Sequence, residues 1–252
     1  MRTDSPARPG TPTWFDLMSQ DPDTVQPFYA AVMGWEFTPS AGPEMGHYRM
    51  ALRDGHIAAG LGKRPDEMRD AWTTYLATDD VDALTAAVRE AGGKVLDEPM
   101  QVADAGRMAI FADPGGAVFG AWEAGRHIGA QIRDEPGAMC WCEVNTPDAT
   151  VARAFYERIM GLTTQKMEGM AYWTLQEGEK AHAGILQMTE EWEGVPPHWM
   201  CYFAVDSADE AGARAAEHGG KVCVPPFDTP YGRMSVLEDP FGAVFSVMSP
   251  VG

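Results

Sequence analysis

No uninterrupted apolar run in this chain approaches the length of a membrane span, and the opening stretch from Met1 to Gly10 is polar, with Pro6 and Pro9 where a secretory signal would carry its apolar core. The chain therefore reads as cytoplasmic, with no membrane partner. Cysteine is scarce: Cys140, Cys142, Cys201 and Cys223 all fall in the second half, and none makes a CxxC pair or a Cys/His cluster with zinc spacing. They read as buried, reduced thiols. Positive charge is scarce as well, with 19 Lys+Arg against 37 Asp+Glu and a formal net charge of -18. Such a field repels phosphate backbones and anionic lipid, so no nucleic acid is expected as a partner. The acidity names no substrate, because it also serves solubility alone.

What is present is a repeat. Phe28 and Tyr29, with Met33, Gly34 and Trp35, are answered 127 residues later by Phe155 and Tyr156, with Met160, Gly161 and Leu162. Gly92, Gly93, Lys94 and Val95 return at the same offset as Gly219, Gly220, Lys221 and Val222. Gly106, Arg107, Met108, Asp113, Pro114 and the run Gly116 to Phe119 return at an offset of 126, from Gly232 to Phe245. Landmarks in one order at nearly one offset mark a tandem duplication. The modules span 11–127 and 137–252, and the stretch from Arg126 to Pro136 connects them.

Within each copy the pattern alternates between period two and period 3.6. Trp14 to Met18 reads as a strand, and a helix then runs from Asp21, a capping residue, to a stop at Gly34. Three strands follow, near Trp35, Tyr48 and Ile57, and the series repeats with a strand at Trp72, a helix from Val81, and strands near Lys94, Met108 and Val118. Each module is βαβββ twice, an α+β arrangement.

This order, with FY in the first helix, MGW or MGL closing it, GGKV after the second and DPxGAVF entering the last strand, resembles the vicinal oxygen chelate superfamily. The match is to its tandem, glyoxalase-like branch of glyoxalase, bleomycin resistance and dioxygenase proteins. The resemblance implies a cup-shaped mixed sheet per module, helices on the convex face, and a small molecule in the cup.

Strand alternation assigns the faces. Phe15 and Leu17 go to the core, which leaves Trp14, Asp16 and Met18 to the first cup; Cys142 and Val144 go to the core, which leaves Trp141, Glu143 and Asn145 to the second. The same parity adds Thr73, Tyr75, Gly120 and Trp122 to one cup and Met200, Tyr202, Ser246 and Met248 to the other. Metal-dependent members of the family carry His, Gln or Glu ligands at positions held here by Trp14, Thr73 and Gly120, and by Trp141, Met200 and Ser246. None is an ordinary metal ligand, so neither metal nor cofactor is expected.

In their place stands a repeated Trp-x-acid pattern, backed by Tyr75 and Tyr202. An indole beside a carboxylate suits a flat aromatic or cationic ligand. Asp16 and Glu143 are the candidate acid/base residues; Trp14, Thr73, Tyr75, Trp122, Trp141, Met200, Tyr202, Ser246 and Met248 are the candidate ligand contacts. The competing reading pairs both acids with Arg107, Arg233 or backbone amides as strand ties. Three functions stay open: a binder that sequesters an aromatic metabolite or antibiotic, a metal-independent lyase, isomerase or cyclase, and a scaffold with vestigial cups.

Four finer expectations follow. Gly120 leaves space beside Trp122, so the first cup is the wider one and favours a flat ligand. The histidines are mostly loop or surface residues, with His182 and His198 the ones that reach a cavity. Tyr231 and Met100 lie on the loop before the GRM strand, at the cup mouth. The chain is a monomer or a homodimer, since duplication supplies both halves covalently.

Overall fold

The computed structural model describes residues 1–250; Val251 and Gly252, at the end of the second module's expected range, lie outside the described residues. The chain forms β1 (Pro12–Ser19), α1 (Pro22–Met33), β2 (Glu36–Phe37), β3 (Arg49–Arg53), β4 (His56–Lys63), β5 (Ala71–Thr78), α2 (Val81–Glu90), β6 (Lys94–Val102), β7 (Gly106–Ala112) and β8 (Val118–Ala124). The second copy repeats this as β9 (Met139–Thr146), α3 (Ala149–Met160), β10 (Thr163–Lys166), β11 (Tyr172–Glu177), β12 (Lys180–Gln187), β13 (His198–Ala204), α4 (Ala208–Glu217), β14 (Lys221–Thr229), β15 (Gly232–Glu238) and β16 (Val244–Ser249). Short side chains start the helices. Asp21 accepts from the Thr24 N–H at 3.1 Å, and Asp148 accepts from Thr150 and Val151, which satisfies donors that the first turn leaves free. Gly34 and Gly161 end α1 and α3 in the left-handed conformation that glycine adopts without steric cost.

Each module folds into its own eight-stranded mixed sheet, in the order β2-β3-β4-β1-β5-β8-β7-β6 and β10-β11-β12-β9-β13-β16-β15-β14. The first strand of each module lies in the middle of its sheet, parallel to the fourth strand and antiparallel to the fifth. That placement carries residues of β1 and β9 to the centre of the cup face.

The opposite faces meet in one apolar core that runs through both modules, with Phe15, Leu17, Trp35 and Trp72 beside Phe203 and Phe245. Trp72 and Phe203, from different modules, have ring centroids 4.9 Å apart. The repeated Phe-Tyr and Asp-Pro motifs serve this core. Tyr29 donates to Asp239 Oδ2 at 3.0 Å, and Tyr156 donates to Asp113 Oδ2 at 2.9 Å, each across the module boundary. The other oxygen of each aspartate takes backbone N–H groups of its own turn, from Gly116 and Ala117 or from Phe241 and Ala243. Cys142 and Cys201 are buried as expected, whereas Cys140 is half-buried and Cys223 is exposed on the edge strand β14. That edge strand pairs with β15 on one side only.

Candidate functional site

On β1 the alternation holds: Phe15 and Leu17 enter the common core, while Trp14 joins Tyr75 and Trp122 in a separate cluster on the cup face. Trp14 Nε1 donates to the Tyr48 hydroxyl at 2.9 Å, and that hydroxyl donates to Asp16 Oδ2 at 3.0 Å. Tyr75 donates to the same oxygen at 3.2 Å. Asp16 is only 4% exposed, and its Oδ1 is buried without a partner. Burial pushes its carboxyl up to about 7, against the opposing pull of the two hydroxyls.

The second module repeats the arrangement with a longer acid. Trp141 Nε1 donates to the Tyr172 hydroxyl at 2.7 Å, and Tyr202 donates to Glu143 Oε1 at 2.7 Å. Burial raises Glu143 as well, with the tyrosine hydroxyls working the other way. Two glycines make this geometry. A Cβ at Gly60 would lie 2.0 Å from the Tyr48 hydroxyl, and one at Gly184 would lie 1.9 Å from that of Tyr172, so each tyrosine reaches its acid only across a bare backbone. Neither acid is tied to an arginine. Arg107 pairs with Asp82 at 2.8 Å and Arg233 with Asp209 at 2.6 Å, outside the cups.

The remaining candidates fall around these acids. Thr73 lies opposite Asp16 in the β1/β5 register and is half-buried; Met200 lies opposite Glu143 and is buried. Ser246 pairs with Tyr202, its Oγ buried without a partner, and Met248 pairs with Ala204 and is half-buried. Next to these, the sheet registers leave apolar side chains exposed: Met100 and Val118 in the first module, and Val224, Phe227 and Val244 in the second. An open apolar surface beside buried polar groups is the usual make-up of a small-molecule site.

Not every expectation holds. Gly120 does not leave space beside Trp122, because the Tyr75 ring lies on it; a Cβ there would be 2.1 Å from Tyr75 Cδ1. The ground offered for a wider first cup is thereby removed. His127 is a loop residue, but a half-buried one: its ring lies edge-on to Trp14 with centroids 4.3 Å apart, and Trp122 Nε1 donates to its carbonyl at 2.8 Å. Trp14 and Trp122 are consequently only 3% and 5% exposed, whereas Trp141 is half-buried with no histidine against it. Met100 belongs to β6 and not to a loop; only Tyr231 sits in the turn before β15. His198 does reach the cup face, where its Nε2 lies 3.0 Å from Asn145 Nδ2, and His182 has a buried Nε2 without a partner. Tyr48, Tyr172 and His127 are the site residues that the sequence reading missed. Tyr48 and Tyr172 repeat at an offset of 124, shared with Gly60 and Gly184, so a short gap hides them from the main register.

The donor set does not fit a divalent metal. An indole whose N–H is already a donor, a threonine hydroxyl and a glycine stand at one set of expected ligand positions. Among the described residues, no group of three or more His, Cys, Asp and Glu side chains converges.

Paired modules of βαβββ units, each folded into its own eight-stranded mixed sheet, define a glyoxalase-fold protein. Residues 13–121 match the family model of the Glyoxalase-like domain, and residues 122–247 match that of the Glyoxalase/Bleomycin resistance protein/Dioxygenase superfamily. The chain belongs to this superfamily. It is 41% identical over 252 residues to "Putative glyoxylase CFP32" of Mycobacterium tuberculosis (strain CDC 1551 / Oshkosh), covering 96% of each chain. It is 39% identical over 257 residues to "Anthracycline biosynthesis protein DnrV" of Streptomyces peucetius, covering 95% of this chain and 93% of that protein. Among solved structures, it resembles the Mn(II)-bound glyoxalase from Novosphingobium aromaticivorans, with a TM-score of 0.68 at 21% identity, over 97% of this chain and 83% of that one. That likeness is one of fold. No helix among the described residues is long and apolar enough to cross a membrane.

Proposed function

We propose that this chain binds a small, planar aromatic metabolite or antibiotic on its cup faces, in the cytoplasm and as a monomer or homodimer, without a metal. The observation that carries this reading is the central carboxyl group of each cup. Asp16 and Glu143 are buried, held by tyrosine hydroxyls, unpaired with any cation, and bordered by an open apolar surface. A buried acid with no counter-charge favours its neutral, hydrogen-bonding form, which suits the hydroxyl and carbonyl groups of an uncharged ring system. One relative is named for anthracycline biosynthesis, which supports a link to the metabolism of aromatic compounds. Trp141 is the more accessible indole, so the second module takes the ring face.

Titration of tryptophan fluorescence with a planar hydroxyanthraquinone, in protein dialysed against a chelator, tests the reading. Saturable quenching that Trp141→Ala weakens is expected. Absence of saturation, or saturation only after a divalent metal is restored, overturns it.

A second reading is favoured by Asp16 itself. A carboxyl group pushed up to about 7, with one oxygen unpartnered, is suited to take and return a proton near neutrality. On that reading the chain is a metal-independent lyase, isomerase or cyclase in which Asp16 and Glu143 move the proton. Turnover of a bound aromatic ketone, followed by exchange of its acidic C–H in deuterium oxide, separates enzyme from binder.

A further inference from the structure

The two modules differ at the end of the sheet where β4 leads into β5 and β12 leads into β13. In the first module a buried ion pair closes that end. Arg64 donates from Nε to Asp70 Oδ1 at 2.6 Å and from Nη2 to Gln20 Oε1 at 3.1 Å, and the Gln20 N–H donates to Asp70 Oδ2 at 2.9 Å. The registers set Ser19 opposite Lys63 and Met18 opposite Ala71, just as they set Thr146 opposite Gln187 and Asn145 opposite His198. Gln20, Arg64 and Asp70 therefore correspond to Pro147, Met188 and Pro197. Every member of the polar lock has been replaced by an apolar residue.

Those three replacements line a cleft of about 450 Å³, within the range of small-molecule sites. The connection over it has also grown, from the seven residues 64–70 to the ten residues 188–197. It contains a single 3₁₀ turn, Glu190–Trp192, which sets Trp192, Glu190 and Glu193 in the wall of the cleft. Residues three apart eclipse in such a turn, and the Glu193 N–H donates to the Glu190 carbonyl at 3.3 Å, so both acids stand on one side. Gln187 fixes the floor, since its Nε2 donates to the carbonyls of Pro147 at 2.6 Å and Met188 at 3.0 Å. No Lys, Arg or His lines the cleft, so neither glutamate meets a counter-charge there. His198, with its ring centroid 6.3 Å from that of Trp192, adds none, because burial holds its imidazole below the ordinary value and so neutral.

We propose that this cleft of the second module is a separate binding site for a small, free organic ammonium ion, with its cationic head at Trp192, Glu190 and Glu193 and its apolar body against Met188, Pro147 and Pro197. A cation gains from the indole face and from both carboxylates. An anion meets the repulsion of both acids, and a neutral molecule of the same shape keeps only the apolar contact. The site uses neither Asp16 nor Glu143, so it does not depend on the reading of the cups.

Choline and 3,3-dimethylbutanol share one shape and differ in the positive charge, so ligand-detected NMR titration of the full chain with each reads the effect of that charge. Choline is expected to saturate and to bind roughly ten-fold more tightly than the alcohol, the scale of a cation on an indole with acids beside it. It is also expected to shift the indole nitrogen-15 correlation of Trp192 and to leave that of Trp141 in place. A double variant, Glu190→Gln with Glu193→Gln, changes two exposed side chains and is expected to bring choline down towards the alcohol while the melting temperature holds. Trp192→Leu is expected to remove most of the remaining preference. Equal binding of the two probes, a choline response that never saturates, or a preference that survives in the double variant overturns the inference. Binding of a hydroxyanthraquinone reports on the cups alone, so either proposal can fail without the other.

Discussion

Trp14 and His127 meet edge to face with their ring centroids 4.3 Å apart and their planes at 86°, so the indole of the first cup is covered by a residue from the connection between the modules. Trp141, at the equivalent place in the second cup, has no such cover and is half-buried. Two copies of one sequence pattern have thus become two different surfaces.

The first prediction concerns that difference. Trp141→Ala removes an accessible stacking wall and is expected to weaken binding of a planar hydroxyanthraquinone by about 1 kcal/mol or more. Trp14→Ala removes a buried ring and is expected to act on stability, at about 3–5 kcal/mol, as large buried aromatics do. Binding isotherms and denaturant melts of both variants check this. Equal losses of affinity in the two show equivalent cups.

The second concerns pH. Asp16 has its folded-state value raised to about 7 from 3.8, so between these values the folded chain retains a proton that the unfolded chain has released. Stability from this group therefore falls as pH rises through that window, by at most about 1.4 kcal/mol per pH unit. Asp16→Asn is expected to remove that slope. Denaturant melts from pH 4 to pH 8 show it as a difference between the two proteins, and parallel curves contradict the assignment.

A third prediction tests the dependence of each module on the other. Tyr29→Phe leaves Asp239 Oδ2 and Trp72 Nε1 without their shared partner, and Tyr156→Phe does the same to Asp113 and Trp199. Each variant is expected to lose about 1–3 kcal/mol, the cost of stranding a buried polar group. Module 11–127 expressed alone exposes Trp35 and Trp72, which pack on Phe203 in the whole chain, and is expected not to fold cooperatively. A sharp melt of the isolated module contradicts this.

The fourth concerns the glycine under each tyrosine. Gly184→Ala puts a methyl carbon where the Tyr172 hydroxyl now sits, and so pushes that hydroxyl away from Trp141 Nε1. The freed indole N–H is expected to shift its nitrogen-15 correlation in the NMR spectrum. An unmoved Trp141 signal in a folded variant contradicts the role given to Gly184.

Much of this was legible in the residues. The repeat marked two modules because its landmarks keep their order at nearly one offset, and period two put Asp16 and Glu143 on the cup face because Phe15 and Cys142 had to enter a core. Tyr48 and Tyr172 were hidden by the gap that changes their offset from 127 to 124. His127 was hidden for another reason: its place follows from hydrogen bonds made by Ala130 and Gln131 to strands far away in sequence. Gly120 misled because a missing side chain reads as space, whereas a folded sheet fills it from the next strand, here with Tyr75.

The central claim is that a planar, oxygen-bearing aromatic molecule is held on these faces by tyrosine-bound acids and no metal. A crystal structure of chelator-treated protein with a hydroxyanthraquinone tests it most directly. The account predicts the ring system against Trp141, with a ligand oxygen in hydrogen-bond reach of Glu143. A ring system lodged instead in the cleft of Pro147, Met188, Trp192 and Val195, or bound only through an added metal ion, would contradict it.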